Sequence, residues 1–272
     1  MTISGTTRIA AVLGWPVDHT RSPTMLNAAF SADQIDAVMV PIGVPPDGLA
    51  TVVAALRAMK ALGASVTIPH KLAVAQLCDE LSPEAKAIGA VNCLQFGDQL
   101  VGHNTDCDGF LDAVIAAGCE LRGKRVILLG AGGAARAVAY GVRSARAIEV
   151  VARKPAEVSW AQAWPWTEEN LRDCFARADL VVDCTSAGMD PEADAAFTDA
   201  LPLDALPPGA WVSTLVYHRR TNLLERASSL GHSTLDGRAM LVHQGARAFA
   251  IWTGTPAPVA VMARALDASL AR

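Results

Sequence analysis

Short apolar runs alternate with amphipathic stretches through the first hundred residues. Runs at 9–13, 38–42 and 65–68 are the length of buried strands. Between the first two, Ser22-Pro23 opens a predicted helix with proline in its first turn. Met25, Leu26, Ala29 and Phe30 line one face of it. A second helix carries Leu49, Val52, Val53, Leu56 and Met59 at helical spacing, with Gly63 as its expected stop. Ser82-Pro83 starts another short helix. The runs 91–96 and 100–103, joined by Gly97-Asp98-Gln99, predict a hairpin. Strand–helix alternation of this kind predicts an α/β fold, a mostly parallel sheet with helices on both faces.

A second alternating series follows, with strands expected at 125–129, 149–152, 180–184 and 211–216. After Asp236-Gly237 the pattern becomes wholly helical over 240–252 and 258–270. Two domains are therefore expected. One comprises residues 1–106, with 237–272 returning to it, and the other comprises 107–236. No boundary is linker-like, and 104–108 and 233–237 are the expected crossings. Residues 155–170, with Pro155, three tryptophans and Pro165, are the least regular stretch.

Composition narrows the class. Of 272 residues, 51% are apolar and 18% charged, enough for a large core and against disorder. A net charge of −4 without a basic block argues against a nucleic-acid partner. No apolar run reaches membrane-spanning length, and residues 1–7 lack the apolar segment of a signal peptide. The six cysteines form no Cys-x-x-Cys pair, which fits a reduced, cytoplasmic setting. Neither they nor the six histidines have zinc-like spacing, so no metal is expected.

One turn carries chemistry of its own. Val126-Ile127-Leu128-Leu129 runs into Gly130-Ala131-Gly132-Gly133-Ala134-Ala135, a strand entering a Gly-x-Gly-x-x-Ala turn that opens an Ala-rich helix. Gly130 permits the turn, Gly132 lets backbone approach a pyrophosphate, and Ala135 lets helix pack on strand. The helix start offers free N–H groups and a positive dipole end. The bland alternative is a small-residue helix contact. The flanking strand and helix favour a dinucleotide site.

Further motifs extend the pattern over nearly the whole chain: residues 14–23 (Gly-Trp-Pro-Val-Asp-His-Thr-Arg-Ser-Pro), 63–71 (Gly-Ala-Ser-Val-Thr-Ile-Pro-His-Lys), Gly89-Ala90-Val91-Asn92 and Gly102-His103-Asn104-Thr105-Asp106. Cys184-Thr185-Ser186-Ala187-Gly188-Met189 and 237–245, with Trp252-Thr253-Gly254, complete the set. In this order and spacing the chain resembles the shikimate dehydrogenase family. The resemblance implies an N-terminal substrate-binding domain, a Rossmann-like NADP domain and C-terminal helices that return to the first.

It also implies roles. Lys71 and Asp106 match the family's catalytic dyad. Read alone they are a surface lysine and a helix-capping aspartate, although a lysine beside a carboxylate at a sheet's carboxyl edge can shuttle a proton. Thr20 and Ser22 match two substrate serines that contact a carboxylate, with helix capping as the alternative for Ser22. Ser65, Thr67, Asn92 and Gln244, with Asp106, match positions that meet ring hydroxyls, and Tyr217 matches a site-lining tyrosine. Besides Gly130–Ala135, the cofactor positions implied are Arg153, Lys154, Thr185, Ser186, Met189 and Gly237. No acid follows Val150-Val151-Ala152. Arg153 stands there instead, which favours NADP, with NAD possible.

Departures from the family pattern are specific. Thr20 replaces a serine, Ser65 an asparagine, Ala152 and Asp183 asparagines, and Thr214 an aspartate. The segment Tyr217-His218-Arg219-Arg220-Thr221 lacks the family's proline. The leading expectation is NADP-dependent interconversion of 3-dehydroshikimate and shikimate, by a monomer or homodimer acting on a small cyclic hydroxy acid. Quinate or a modified, for example aminated, shikimate is the rival substrate. A non-catalytic dinucleotide-binding regulator is the rival from another class, and both dyad residues weigh against it.

Overall fold

The computed structural model describes residues 3–271, which fall into two units: 3–109 with 241–271, and 110–240. The divisions lie inside helices α4 (Asp106–Ala116) and α9 (Gly237–Thr253), a few residues from the expected crossings.

The first unit holds strands β1 (Arg8–Gly14), β2 (Ala37–Gly43), β3 (Gly63–Val66), β4 (Glu80–Leu81), β5 (Cys93–Phe96) and β6 (Leu100–His103). They form one sheet in the order β2-β1-β3-β5-β6-β4. β1 pairs in parallel with β2 and β3, whereas β5 runs antiparallel to both β3 and β6. Side chains alternate along β1. Ala10 and Val12 join a core built with α1 (Ser22–Ala32), α9 and α10 (Val259–Leu270), in which Phe30 stacks on Phe249. Ala11 and Leu13 face α2 (Leu49–Ala58) and α3 (Pro83–Ile88). The sheet thus has a helical layer on each face, as period-two alternation of fully apolar strands requires.

Two sequence expectations change here. Helix α2 ends at Ala58, and Lys60, with φ +52°, turns the chain, so Gly63 is no helix stop but the first residue of β3. A Cβ at Gly63 would lie 2.2 Å from the Trp252 indole nitrogen, which donates to the Leu94 carbonyl at 3.0 Å. The glycine is a packing requirement. Ser22 does not cap α1. The cap position falls on Arg21 and no side chain closes that turn.

The second unit is a wholly parallel sheet, in the order β12-β11-β10-β7-β8-β9. Its strands are β7 (Arg125–Leu129), β8 (Ala147–Ala152), β9 (Gln162–Pro165), β10 (Leu180–Asp183), β11 (Trp211–Thr214) and β12 (Ser233–Leu235). The irregular stretch at 155–170 supplies edge strand β9, which the sequence pattern does not predict. Its proline ends the strand at the sheet margin, where a missing donor is tolerated. Ile127, Leu129, Val151 and Val181 face α6 (Glu168–Phe175) and α8 (Asn222–Ser229). Val126, Leu128, Val150 and Val182 face α4 and α5 (Gly133–Gly141). Thr167 and Thr221 cap α6 and α8, and Asp190 caps α7 (Pro191–Asp199) with bonds from Glu192 and Ala193.

Candidate active site

Sheet topology brings distant residues of the first unit to one edge. β1 and β3 end together (Leu13 opposite Val66), so Thr20 and Ser22 follow one strand, and Thr67 and Lys71 follow the other. β5 is antiparallel and starts at this edge, with Ser65 opposite Cys93, which puts Asn92 there. β6 ends opposite the start of β5 and delivers Asn104-Thr105-Asp106.

Backbone bonds tie these segments. The Val91 N–H donates to the Lys71 carbonyl at 2.8 Å and the Asn92 N–H to the His103 carbonyl at 3.0 Å. Lys71 Nζ then donates to Asp106 Oδ2 at 2.5 Å, as an ion pair with side chains 22% and 9% exposed. The other carboxylate oxygen, Oδ1, accepts from Asn92 Nδ2 at 2.9 Å. Asn92 Nδ2 also faces Thr105 Oγ1 at 3.0 Å and Gln244 Oε1 at 3.5 Å, while its Oδ1 accepts from the Thr105 N–H at 2.7 Å. Asn92 therefore orients the carboxylate through a buried network. Asn104, absent from the expected site, shares this work. Its Nδ2 donates to the Ala90 carbonyl, and its Oδ1 accepts from the Asp106 N–H. The run of three polar residues at 104–106 after the hairpin was the available signal, and the fold buries all three.

Gln244 reaches the group because α9 lies close on α4. A Cβ on Gly109 would be 2.7 Å from the Gln244 backbone nitrogen. Gln244 Nε2 bonds the Leu241 carbonyl, leaving Oε1 toward Asn92. Ser65 is buried on the β3 face that it shares with Val12 and Cys93. Ser22 is 7% exposed, and its N–H donates to Thr20 Oγ1 at 3.4 Å.

In the second unit the glycine turn lies at the switch point, where strand order reverses between β7 and its neighbours β10 and β8. Gly130 has φ +94°, which demands glycine, and a Cβ there would lie 3.2 Å from Thr185 Cγ2. At Gly132 and Gly133 a Cβ would meet nothing within 4 Å. That open backbone, followed by the start of α5, fits the approach of a pyrophosphate. Arg153 and Lys154 are exposed past the end of β8, and Lys154 pairs with Glu157 at 2.9 Å. Gly237 N–H donates to the Val216 carbonyl, and a Cβ on Gly237 would sit 2.2 Å from the Leu215 oxygen. The Tyr217 carbonyl accepts from Arg238 Nε at 3.4 Å. Thr185 Oγ1 accepts from the Ala187 N–H, and Ser186 precedes the short turn Ala187–Met189, which Met189 ends.

Asp183, at the end of β10 and 1% exposed, is the unusual charge of this unit. Burial pushes its carboxyl up to about 6. Bonds from Thr185 and Thr214 pull it down and the nearby Asp194 adds to the rise. A carboxyl whose folded pKa exceeds its unfolded value of about 3.9 binds protons better when folded. Its contribution thus falls as pH rises from about 4 to about 6 and is flat above. A rise of that size corresponds to about 3 kcal/mol. Asp183→Asn is therefore expected to gain stability over the parent as pH rises through this window. Urea unfolding of both proteins at pH 4 to 7 measures it, and a pH-independent difference would contradict the assignment.

An α/β protein with a dinucleotide-type turn in one unit and a lysine paired with a buried carboxylate in the other is built like a pyridine-nucleotide oxidoreductase. The comparisons with known proteins narrow the class. Residues 12–94 match the shikimate dehydrogenase substrate binding domain and 237–266 the shikimate 5′-dehydrogenase C-terminal domain. The NADP(+) shikimate dehydrogenase of Moorella thermoacetica is 40% identical, over 97% of this chain and 94% of its own. The structure of the Thermus thermophilus shikimate 5-dehydrogenase with NADP(H) and shikimate aligns with TM-score 0.86 and 34% identity, covering 97% and 100% of the two chains. The ligand-free 5-ketofructose reductase of a Gluconobacter strain aligns with TM-score 0.83 and 30% identity, covering 98% and 100%. The chain belongs to the shikimate dehydrogenase family.

Proposed function

We propose that this protein is an NADP-dependent oxidoreductase that interconverts 3-dehydroshikimate and shikimate. The observation that carries the reading is the Lys71–Asp106 pair at 2.5 Å, with Asn92 holding the second carboxylate oxygen. Bound NADP supplies the hydride acceptor for oxidation and the donor for reduction. The dyad takes the hydroxyl proton during oxidation and returns it during reduction, from a position fixed by Asn92 and Asn104. Thr20 and Ser22 offer hydroxyls to the substrate carboxylate, and Ser65, Thr67 and Gln244 offer short polar arms to ring hydroxyls. Residues 1–106 with 237–272 bind the substrate. Residues 107–236 bind NADP through Gly130–Ala135, with Arg153 and Lys154 on the 2′-phosphate and Thr185, Ser186 and Met189 toward the nicotinamide. Gly237, the first residue of the returning segment, joins them, and Tyr217 lines the substrate pocket on the side where the nicotinamide enters. Among the described residues no helix is long and apolar enough to cross a membrane. Together with six free cysteines this supports a cytoplasmic enzyme.

The test follows absorbance of the reduced nicotinamide with shikimate and with quinate, each with NADP and with NAD. Shikimate with NADP is expected to be the fastest pair. No turnover with shikimate would overturn the reading. Ser65 favours quinate or a modified shikimate as a second reading. It is about one amide shorter than asparagine, and one lost hydrogen bond weakens binding by about 0.5–1.5 kcal/mol.

Cofactor choice has its own test. Arg153→Ala is expected to raise the KM for NADP by about tenfold or more, because hydrogen bonds to charged groups contribute about 1.5–3 kcal/mol. The KM for NAD, which lacks the 2′-phosphate, should change by less than about twofold. Equal losses for both cofactors would remove Arg153 from the phosphate site.

A further inference from the structure

Two loops leave the carboxyl ends of the neighbouring strands β10 and β11, at 184–190 and 215–221. They are in direct contact. A Cβ on Gly188 would lie 2.9 Å from Thr221 Cγ2 and 3.1 Å from Val216 Cγ2. One side chain bridges them. Arg219 Nη1 donates to the Gly188 carbonyl at 2.9 Å and to Asp194 Oδ2 at 2.8 Å. The same Asp194 oxygen accepts from the Asn222 N–H, at the start of α8, at 2.7 Å. Asp194 sits in the first turns of α7 and is 1% exposed, and its Oδ1 is buried without a hydrogen-bond partner.

A buried carboxylate without a counter-charge is costly, so Asp194 holds Arg219 firmly. Arg219 in turn holds the middle of the Ala187–Met189 turn. The pair is polar, and neither residue belongs to the glycine turn at 130–135. Its geometric effect is to fix one loop against the other, and hence the spacing between Thr185–Met189 and Tyr217. We infer that Arg219 and Asp194 are positioning residues for the dinucleotide, a clasp that sets the width of the nicotinamide seat. The inference rests on the NADP reading above. Arg219 acts through Gly188 and through the Asp194–Asn222 link, without touching the phosphate that Arg153 recognises.

This placement separates the clasp from a general support. Loosening the seat affects the half of the cofactor that NADP and NAD share, so both should weaken in parallel. Binding of NADPH and of NADH is measured by their fluorescence without substrate, beside thermal unfolding and steady-state kinetics, for Arg219→Gln, Arg219→Lys and Asp194→Asn. Arg219→Gln is expected to weaken both reduced cofactors about tenfold with the NADPH/NADH ratio kept. The KM for shikimate at saturating cofactor should stay within about twofold. Arg219→Lys, which keeps the charge and can reach one acceptor, should restore part of the loss. Unchanged cofactor binding in a folded Arg219→Gln would overturn the proposal. So would a loss for NADPH alone, or a loss shared equally by shikimate and cofactor. Because binding is read without turnover, these outcomes stand apart from failure of the parent to oxidise shikimate.

Discussion

Replacing Lys71 with alanine is expected to lower kcat with shikimate by two or more decades and to leave the fold intact. Positioned proton-transfer groups contribute about 10²–10⁴-fold, and Lys71 is the only cation bonded to the Asp106 carboxylate among the described residues. Asp106→Asn should do the same. It keeps the shape and a partner for Asn92 while removing the charge that holds the amine. Neither change should destabilise strongly. The Lys71 side chain is about a fifth exposed, and its segment is anchored through the backbone, by the Val91 N–H bond to the Lys71 carbonyl. NADPH binding measured by fluorescence should survive in both variants, because the glycine turn belongs to the other unit. Near-native turnover in either variant, with unchanged unfolding, would remove that residue from the proton path.

The largest expected loss of stability lies elsewhere, at Glu149. This carboxylate is 2% exposed on β8, one strand in from the sheet edge, between Arg125, Arg177 and Trp164. Burial alone would raise its pKa. The bonds from Arg177 and Trp164, then from Arg125, outweigh it and hold the carboxyl below the ordinary range. Glu149→Gln leaves two guanidinium groups facing an amide. Removing one partner of a buried ion pair costs about 3–5 kcal/mol, and the partial exposure of both arginines places the expected loss near about 3 kcal/mol. The sign with pH is opposite to that of Asp183. A depressed carboxyl contributes fully above its unfolded pKa of about 4.3, and the contribution disappears as pH falls through the folded value. Urea unfolding of the two proteins at pH 7 and below pH 4 should show the gap closing in acid. Specific activity of folded Glu149→Gln should be near that of the parent, since Glu149 lies three residues before the end of β8, away from the glycine turn. A variant as stable as the parent at pH 7 would show the network to be unimportant.

The alternation of strands and helices, and the two sheets it implies, follow from the order of residues without any tertiary information. Runs such as Val126–Leu129 are apolar on both faces and bounded by turn residues, and only a buried strand satisfies them. The glycine turn is equally local, because Gly130 at φ +94° and the open positions Gly132 and Gly133 are requirements of nearby backbone. The strands that the pattern leaves undetermined are two to four residues long. β4, β9 and β12 form because a neighbour offers unpaired backbone groups, and their side-chain pattern carries little signal. Only the assembled fold makes Gly63 the space for Trp252, 189 positions later in the chain, and runs β5 backward so that it presents Asn92 at its start. Only there does Asn92 bond the carboxylate of Asp106, and Arg219 reach Asp194. Those outcomes depend on which strands become neighbours and in which direction they run. Hydrophobic period specifies that a strand is buried, while its partner and register follow only when the whole sheet is assembled.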